Sequence, residues 1–156
     1  MFTGDRSGDW LYGALHAAGF ANQTNSDHRD DGLRLDDCYI TAAVHCAPPD
    51  NKPALSEFKR CRSYLVQELK LFGDIKVVIV LGKIAFDAFL TAYQEKGGAL
   101  PKPRPKFGTR RCGRSGRRTA VNLLVSLRSQ QNTFTGKLTR PMFQDIFDQA
   151  KAALSE

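Results

Sequence analysis

Two short segments hold the side chains best suited to chemistry. They are Phe2-Thr3-Gly4-Asp5-Arg6-Ser7-Gly8 and Ser129-Gln130-Gln131-Asn132-Thr133-Phe134-Thr135-Gly136. Each is polar, bears glycine, adjoins a predicted helix, and carries an acid or amide that apolar packing does not ask for. A carboxylate such as Asp5 can activate water or stabilise a developing cation. Asp is equally a favoured helix N-cap, and a helix is predicted just after it. The Ser129–Asn132 side chains can donate to phosphate oxygens, or simply cap local backbone. The first segment begins at residue 2, so the chain is expected to start inside a domain.

The remaining candidates are a proline-rich loop, the cysteines and a basic run. Asn51 lies in Ala47-Pro48-Pro49-Asp50-Asn51-Lys52-Pro53, where three prolines enforce extended backbone and Asn is a common turn residue. The cysteines are Cys38, Cys46, Cys61 and Cys112, with no C-x-x-C. Their spacings match no zinc pattern and favour buried structural thiols; disulfides are not expected in a cytosolic protein. Net charge is +7. From Lys102 to Arg118 stand Lys102, Arg104, Lys106, Arg110, Arg111, Arg114, Arg117 and Arg118, with no acid. Such a run can track phosphates with salt-sensitive affinity, or form a solvated loop.

These groups need a scaffold. The 156 residues are enough for one domain with a real core, and 42% apolar content excludes a disordered chain. The run Val77-Val78-Ile79-Val80-Leu81 is too short to span a bilayer. Asp5, Arg6 and Asp9 interrupt any signal-peptide pattern, so a cytoplasmic protein without a membrane partner is expected.

Residues 9–19 read as a helix, with Trp10 or Leu11, Ala14 or Leu15, and Ala18 on one face and Gly19 as its stop. Residues 22–37 read as loop. Cys38–Val44 reads as a buried strand and 55–72 as a helix bearing Leu55, Phe58, Cys61 or Arg62, Leu65, Leu69 and Phe72. A β-branched strand over 75–81 follows, then Gly82 and a helix over 83–95. Residues 97–118 read as a long loop and 121–125 as another strand. Thr139 N-caps a last helix, with Pro141 in its first turn and a stripe of Met142, Ile146, Ala150 and Leu154. This order predicts an α/β fold of three α/β/α layers around a central, mostly parallel sheet of about four strands, its first strand missing. Loops at the carboxyl ends of strands then carry the site: 45–53, 82–83 and 126–136.

Four blocks in order resemble the uracil-DNA glycosylase superfamily, and within it the bacterial and archaeal group called family 5, related to the iron-sulfur family 4. They are Phe2–Tyr12, Cys38–Pro53, Val80-Leu81-Gly82-Lys83-Ile84-Ala85 and Ser129–Gly136. The resemblance covers most of the chain except residues 22–32 and 108–128. It implies an enzyme that extrudes uracil, or another deaminated base, from DNA and hydrolyses its N-glycosidic bond without a lyase step. It implies that Asp5 is the carboxylate serving the oxocarbenium-like transition state. Asn51 becomes the amide reading the uracil edge, and Phe2 its stacking platform. Ser129, Gln130, Gln131 and Asn132 become contacts to phosphate or to the flipped nucleotide. Cys46 and Cys61 match two of the four ligands of a [4Fe-4S] cluster, the other two belonging to an N-terminal C-x-x-C. The partner is uracil-containing DNA, and a monomer is expected.

The chain also departs from the family. The N-terminal region with the first strand and two cluster cysteines has no counterpart here. Val125-Ser126-Leu127-Arg128 stands where a histidine before Pro or a small residue would stabilise the departing uracil. Residues 108–122 are Arg-rich and resemble an out-of-frame reading of a GC-rich gene, in which case the basic run is no DNA footprint. Two further expectations therefore stand beside the enzyme: an inactive nucleic-acid-binding remnant, and a truncated product that does not fold stably alone.

Overall fold

The computed structural model describes residue 4, residues 6–45, 53–100, 102–107 and 139–155, and the backbone of 122–126. Its elements are α1 (Arg6–Ala17), α2 (Leu55–Leu71), β1 (Val77–Leu81), α3 (Lys83–Glu95), β2 (Asn122–Ser126) and α4 (Arg140–Leu154). They fall into two compact units: a helical unit of residues 1–40 and 129–156, and a sheet unit of 41–128.

In the sheet unit, β1 and β2 pair in parallel, Val77 opposite Asn122 and Leu81 opposite Ser126. Parallel neighbours need a crossover, and α3 lies within it. Gly82 ends β1 at φ 106°, a backbone open to glycine and strained for other residues, and its carbonyl accepts the first N–H bond of α3 from Phe86. The core joins Leu65, Val66 and Leu69 of α2, Val80 of β1, and Phe86, Phe89, Leu90 and Ala92 of α3. Each such Leu, Val or Phe contributes about 1.5–3 kcal/mol by leaving water. Polar ties support this packing. Glu57 accepts the Ala54 N–H at 2.6 Å at the start of α2, and Lys96 donates to the Leu69 carbonyl at 3.0 Å.

In the helical unit, α1 buries Leu11, Tyr12, Ala14 and Leu15, and α4 buries Phe143, Phe147 and Ala150. The Phe143 and Phe147 rings meet edge to face at 5.0 Å, and Trp10 lies 6.2 Å from Phe143. Arg140 sits over the Trp10 ring and Lys151 over Phe20. Gln144 donates to the Ala14 carbonyl at 3.3 Å.

Three expectations need correction. Cys38–Val44 forms no strand; Cys38, Ile40 and Ala42 are half-buried and Tyr39 and Thr41 exposed, an extended alternation without a ladder partner among the described residues. The buried stripe of α4 runs through Phe143 and Phe147, leaving Met142 exposed, because two phenyl rings hide more apolar surface than Met and Ile. Leu55, placed in the α2 stripe, is 82% exposed at the helix's first turn.

Candidate functional site

Described residues adjoin the predicted site residues in sequence, and each unit is taken by itself. On the helical side, Gly4 stands immediately before Asp5, and α1 starts immediately after it at Arg6. Gly4 takes φ 67°, and its N–H donates to the Ser26 carbonyl at 2.7 Å. A Cβ here would meet the Asp27 carbonyl oxygen at 3.5 Å. Space is therefore ordinary, and it is the left-handed backbone that calls for glycine.

On the sheet side, the register Leu81 with Ser126 sends both strands out at one edge. β1 and β2 therefore end at the same carboxyl edge of the sheet, with Gly82 directly after β1. That is where an open α/β sheet positions its ligands.

Of the predicted cluster positions, Cys61 is described. It is buried on α2, and its sulfur accepts the His45 N–H at 3.4 Å. The His45 ring leans against Tyr64 at 5.6 Å. Cys46 follows His45 directly in sequence and lies outside the described residues. Burial pushes the Cys38 thiol up from the usual thiol range. Among the described residues no three His, Cys, Asp or Glu gather as they would around a metal ion.

Phe2, Asp5, Asn51, Ser129, Gln130, Gln131 and Asn132 also lie outside the described residues, as do residues 108–118 of the basic run. The loop between α1 and residue 38 holds two residues that sequence reasoning missed. Ser26 is buried beside Gly4, and Asp31 accepts the Asp27 N–H at 2.7 Å and the Leu33 N–H at 3.0 Å. A density of Asn, Asp and Ser marks that loop as a turn, but not which acid folds it. Among the described residues no helix is long and apolar enough to cross a membrane.

With that geometry in place, the comparisons with known proteins are specific. The model of the uracil DNA glycosylase superfamily matches residues 1–151. The type-5 uracil-DNA glycosylase of Mycobacterium bovis is 44% identical over 153 residues, 97% of this chain and 55% of that protein. The type-5 enzyme of Thermus thermophilus is 41% identical over 150 residues, 96% of this chain and 65% of its own length. The type-4 uracil-DNA glycosylase of Archaeoglobus fulgidus is 40% identical over 55 residues, 35% of this chain and 27% of that protein. The chain thus spans about half to two thirds of the length of the curated type-5 relatives.

Proposed function

Because this chain belongs to the uracil DNA glycosylase superfamily, we propose that it is a monofunctional uracil-DNA glycosylase domain, hydrolysing the N-glycosidic bond of uracil in DNA. The observation that carries this reading is 44% identity to a type-5 enzyme across 97% of the chain. The shared exit of β1 and β2 at one sheet edge supports it.

In this reading residues 1–156 form a single three-layer α/β/α domain, monomeric and cytoplasmic. The flipped uracil stacks on Phe2 and pairs its edge with the Asn51 amide, which both donates and accepts. Asp5 faces the sugar, orients water toward the anomeric carbon and stabilises the positive charge that grows there. Ser129, Gln130, Gln131 and Asn132 grip the phosphates or the extruded nucleotide. The family's histidine position falls in Val125-Ser126-Leu127-Arg128, so charge on the leaving base is poorly stabilised and slow release is expected. Cys46 and Cys61 occupy two ligand positions of the family-4 cluster. A [4Fe-4S] cubane takes four, and no step here passes through one.

The test is incubation with a uracil-containing duplex, then alkali. Strand breaks at the uracil are expected. Asp5→Asn should lower the rate by about 10²- to 10⁴-fold, and Asn51→Asp should loosen the preference for uracil. No breaks, where a full-length type-5 relative cuts, would sink the enzymatic reading. DNA retention that weakens steeply with salt would then mark a binding remnant.

A further inference from the structure

The loop that the family resemblance leaves out, residues 22–32, is the part of the helical unit with the densest polar organisation. Its ends are tied twice. Ala21 and Leu35 form an antiparallel bridge, and Asn22 accepts the Arg34 N–H at 2.7 Å while donating to the Gly32 carbonyl at 3.0 Å. Inside that frame Asp31 folds the turn. One carboxylate oxygen takes the Asp27 N–H and the other the Leu33 N–H. Asn25 donates to Asp27 at 2.6 Å, bracing the turn from its near side.

Ser26 connects this turn to the predicted site. It is the buried polar residue among those described, and its carbonyl receives the Gly4 N–H at 2.7 Å. The Ser26–Asp27 peptide unit thus gives its N–H to Asp31 and its carbonyl to Gly4. Gly4 in turn precedes position 5 and the first turn of α1. A backbone N–H held at one carbonyl, in a left-handed conformation that few residues adopt, fixes the direction in which the chain enters the helix.

We propose that Asp31 is a positioning residue for base release: by folding the Asp27–Leu33 turn it fixes the Ser26 carbonyl that anchors Gly4, and so sets where the segment carrying Asp5 enters α1. This rests on reading Asp5 as the reaction's carboxylate. Asp31 itself touches no substrate. Its effect passes through two hydrogen bonds, and misplacement by about 1 Å is enough to cost a reaction up to about a hundredfold.

Two measurements on the intact chain test this independently. The first is amide hydrogen exchange at Gly4, read by NMR. In the wild type the Gly4 amide is expected to be protected. In Asp31→Ala its protection should fall about tenfold or more, while amides of α4 keep theirs. Asp30→Asn, which removes the neighbouring exposed charge, should leave Gly4 protected. The second measurement is single-turnover cleavage of a uracil duplex. Asp31→Ala should slow it about tenfold or more with DNA affinity unchanged, and Asp31→Asn, which keeps one acceptor oxygen, should recover part of the rate. Gly4→Ala should slow the reaction while the Asp27 and Leu33 amides stay protected. A Gly4 amide as protected in Asp31→Ala as in the wild type overturns the proposal, as does an unchanged cleavage rate in an active chain. No base release even in the wild type, with Gly4 protection still dependent on Asp31, leaves the turn's anchoring role standing and ends the reading of Asp5.

Discussion

The sheet unit and the helical unit hold together by different physics. In the sheet unit, a contiguous apolar cluster forms between elements close in sequence, from Leu65 to Ala92. The helical unit instead packs α1 against α4, elements separated by most of the chain, through an aromatic seam at Trp10, Phe143 and Phe147. Beside that seam its 22–36 loop is ordered by side-chain to backbone hydrogen bonds within, and by backbone bonds at its ends. Apolar volume specifies the first unit, and polar geometry joins aromatic packing in the second. A substitution in the cluster should therefore act through stability, and one in the turn through position.

The sharpest way to break this contrast is Phe147→Ala. Phe147 is 2% exposed and packs edge to face on Phe143. Its truncation should cost about 4 kcal/mol, the transfer of a phenyl ring plus the cavity it leaves. Trp10, the one tryptophan of the chain, lies on the same seam and reports the loss as a lower urea midpoint by fluorescence. Met142→Ala, one residue from Phe143 on the exposed side, should move that midpoint little. Equal effects from the two would return α4 to the register expected from its sequence.

Leu90→Ala probes the sheet unit in the same way. Leu90 is 0% exposed at the centre of the cluster, and losing its isobutyl group should cost about 3 kcal/mol. Far-UV circular dichroism during urea titration is the measurement, since α2 and α3 supply much of the helix signal. A loss below about 1 kcal/mol would mean that the cluster relaxes around the gap and is not specified by volume.

What was legible in the sequence follows the same division. Helix α3 is found over the expected residues 83–95, and α2 ends one residue short of expectation, because apolar side chains at helical spacing declare a buried face. β1 was visible as a β-branched run, and β2 lies one residue later than the strand expected over 121–125. Cys38–Val44 shows the limit: alternation declares an extended chain, but a strand also needs a neighbour, and periodicity says nothing about neighbours. The choice between Met142 and Phe143 as the buried edge of α4 depends on which rings meet Trp10, a fact of tertiary packing. Asp31 was invisible for a further reason. An acid among several in a polar loop is distinguished only by which N–H groups reach it, and those lie two and four residues away in a turn with no repeat. The candidate site was read through a resemblance. Cys61 is its one described member, found buried with its sulfur accepting a hydrogen bond.

A smaller effect sharpens the distinction at the entry to α4. Thr139 caps this helix, its hydroxyl oxygen accepting the Met142 N–H at 3.4 Å. The bond is long and exposed, so Thr139→Ala should cost about 0.5 kcal/mol, the low end for a lost cap. Trp10 fluorescence in urea measures it, and Thr139→Ser should restore the loss. A cost above about 2 kcal/mol would show that this residue does more than cap.

The smallest effect on global stability, and the most informative about position, is the acid response of Asp31. Hydrogen bonds from the Leu33 backbone first, and from Asp27, His28 and the Ser26 hydroxyl, hold its carboxyl below the usual aspartate range against an opposing effect of desolvation. A carboxylate whose pKa is lower folded than unfolded adds stability that is fully present above the unfolded value and disappears as pH falls through the folded one. For Asp31 that window lies at and below about pH 4, the ordinary aspartate value. Protonation takes away one of the two strong acceptor oxygens that fold the turn, so the Gly4 protection factor should fall across this window. That factor is normalised to unfolded exchange at each pH. His28, Asp27 and Asp30 share the turn, but Asp31→Asn isolates the one carboxylate: its protection should start lower and lose most of its dependence on acid. If wild type and Asp31→Asn instead lose Gly4 protection in parallel between about pH 5 and pH 2, then another acid governs the anchor, and the polar half of the comparison must be rebuilt around that group.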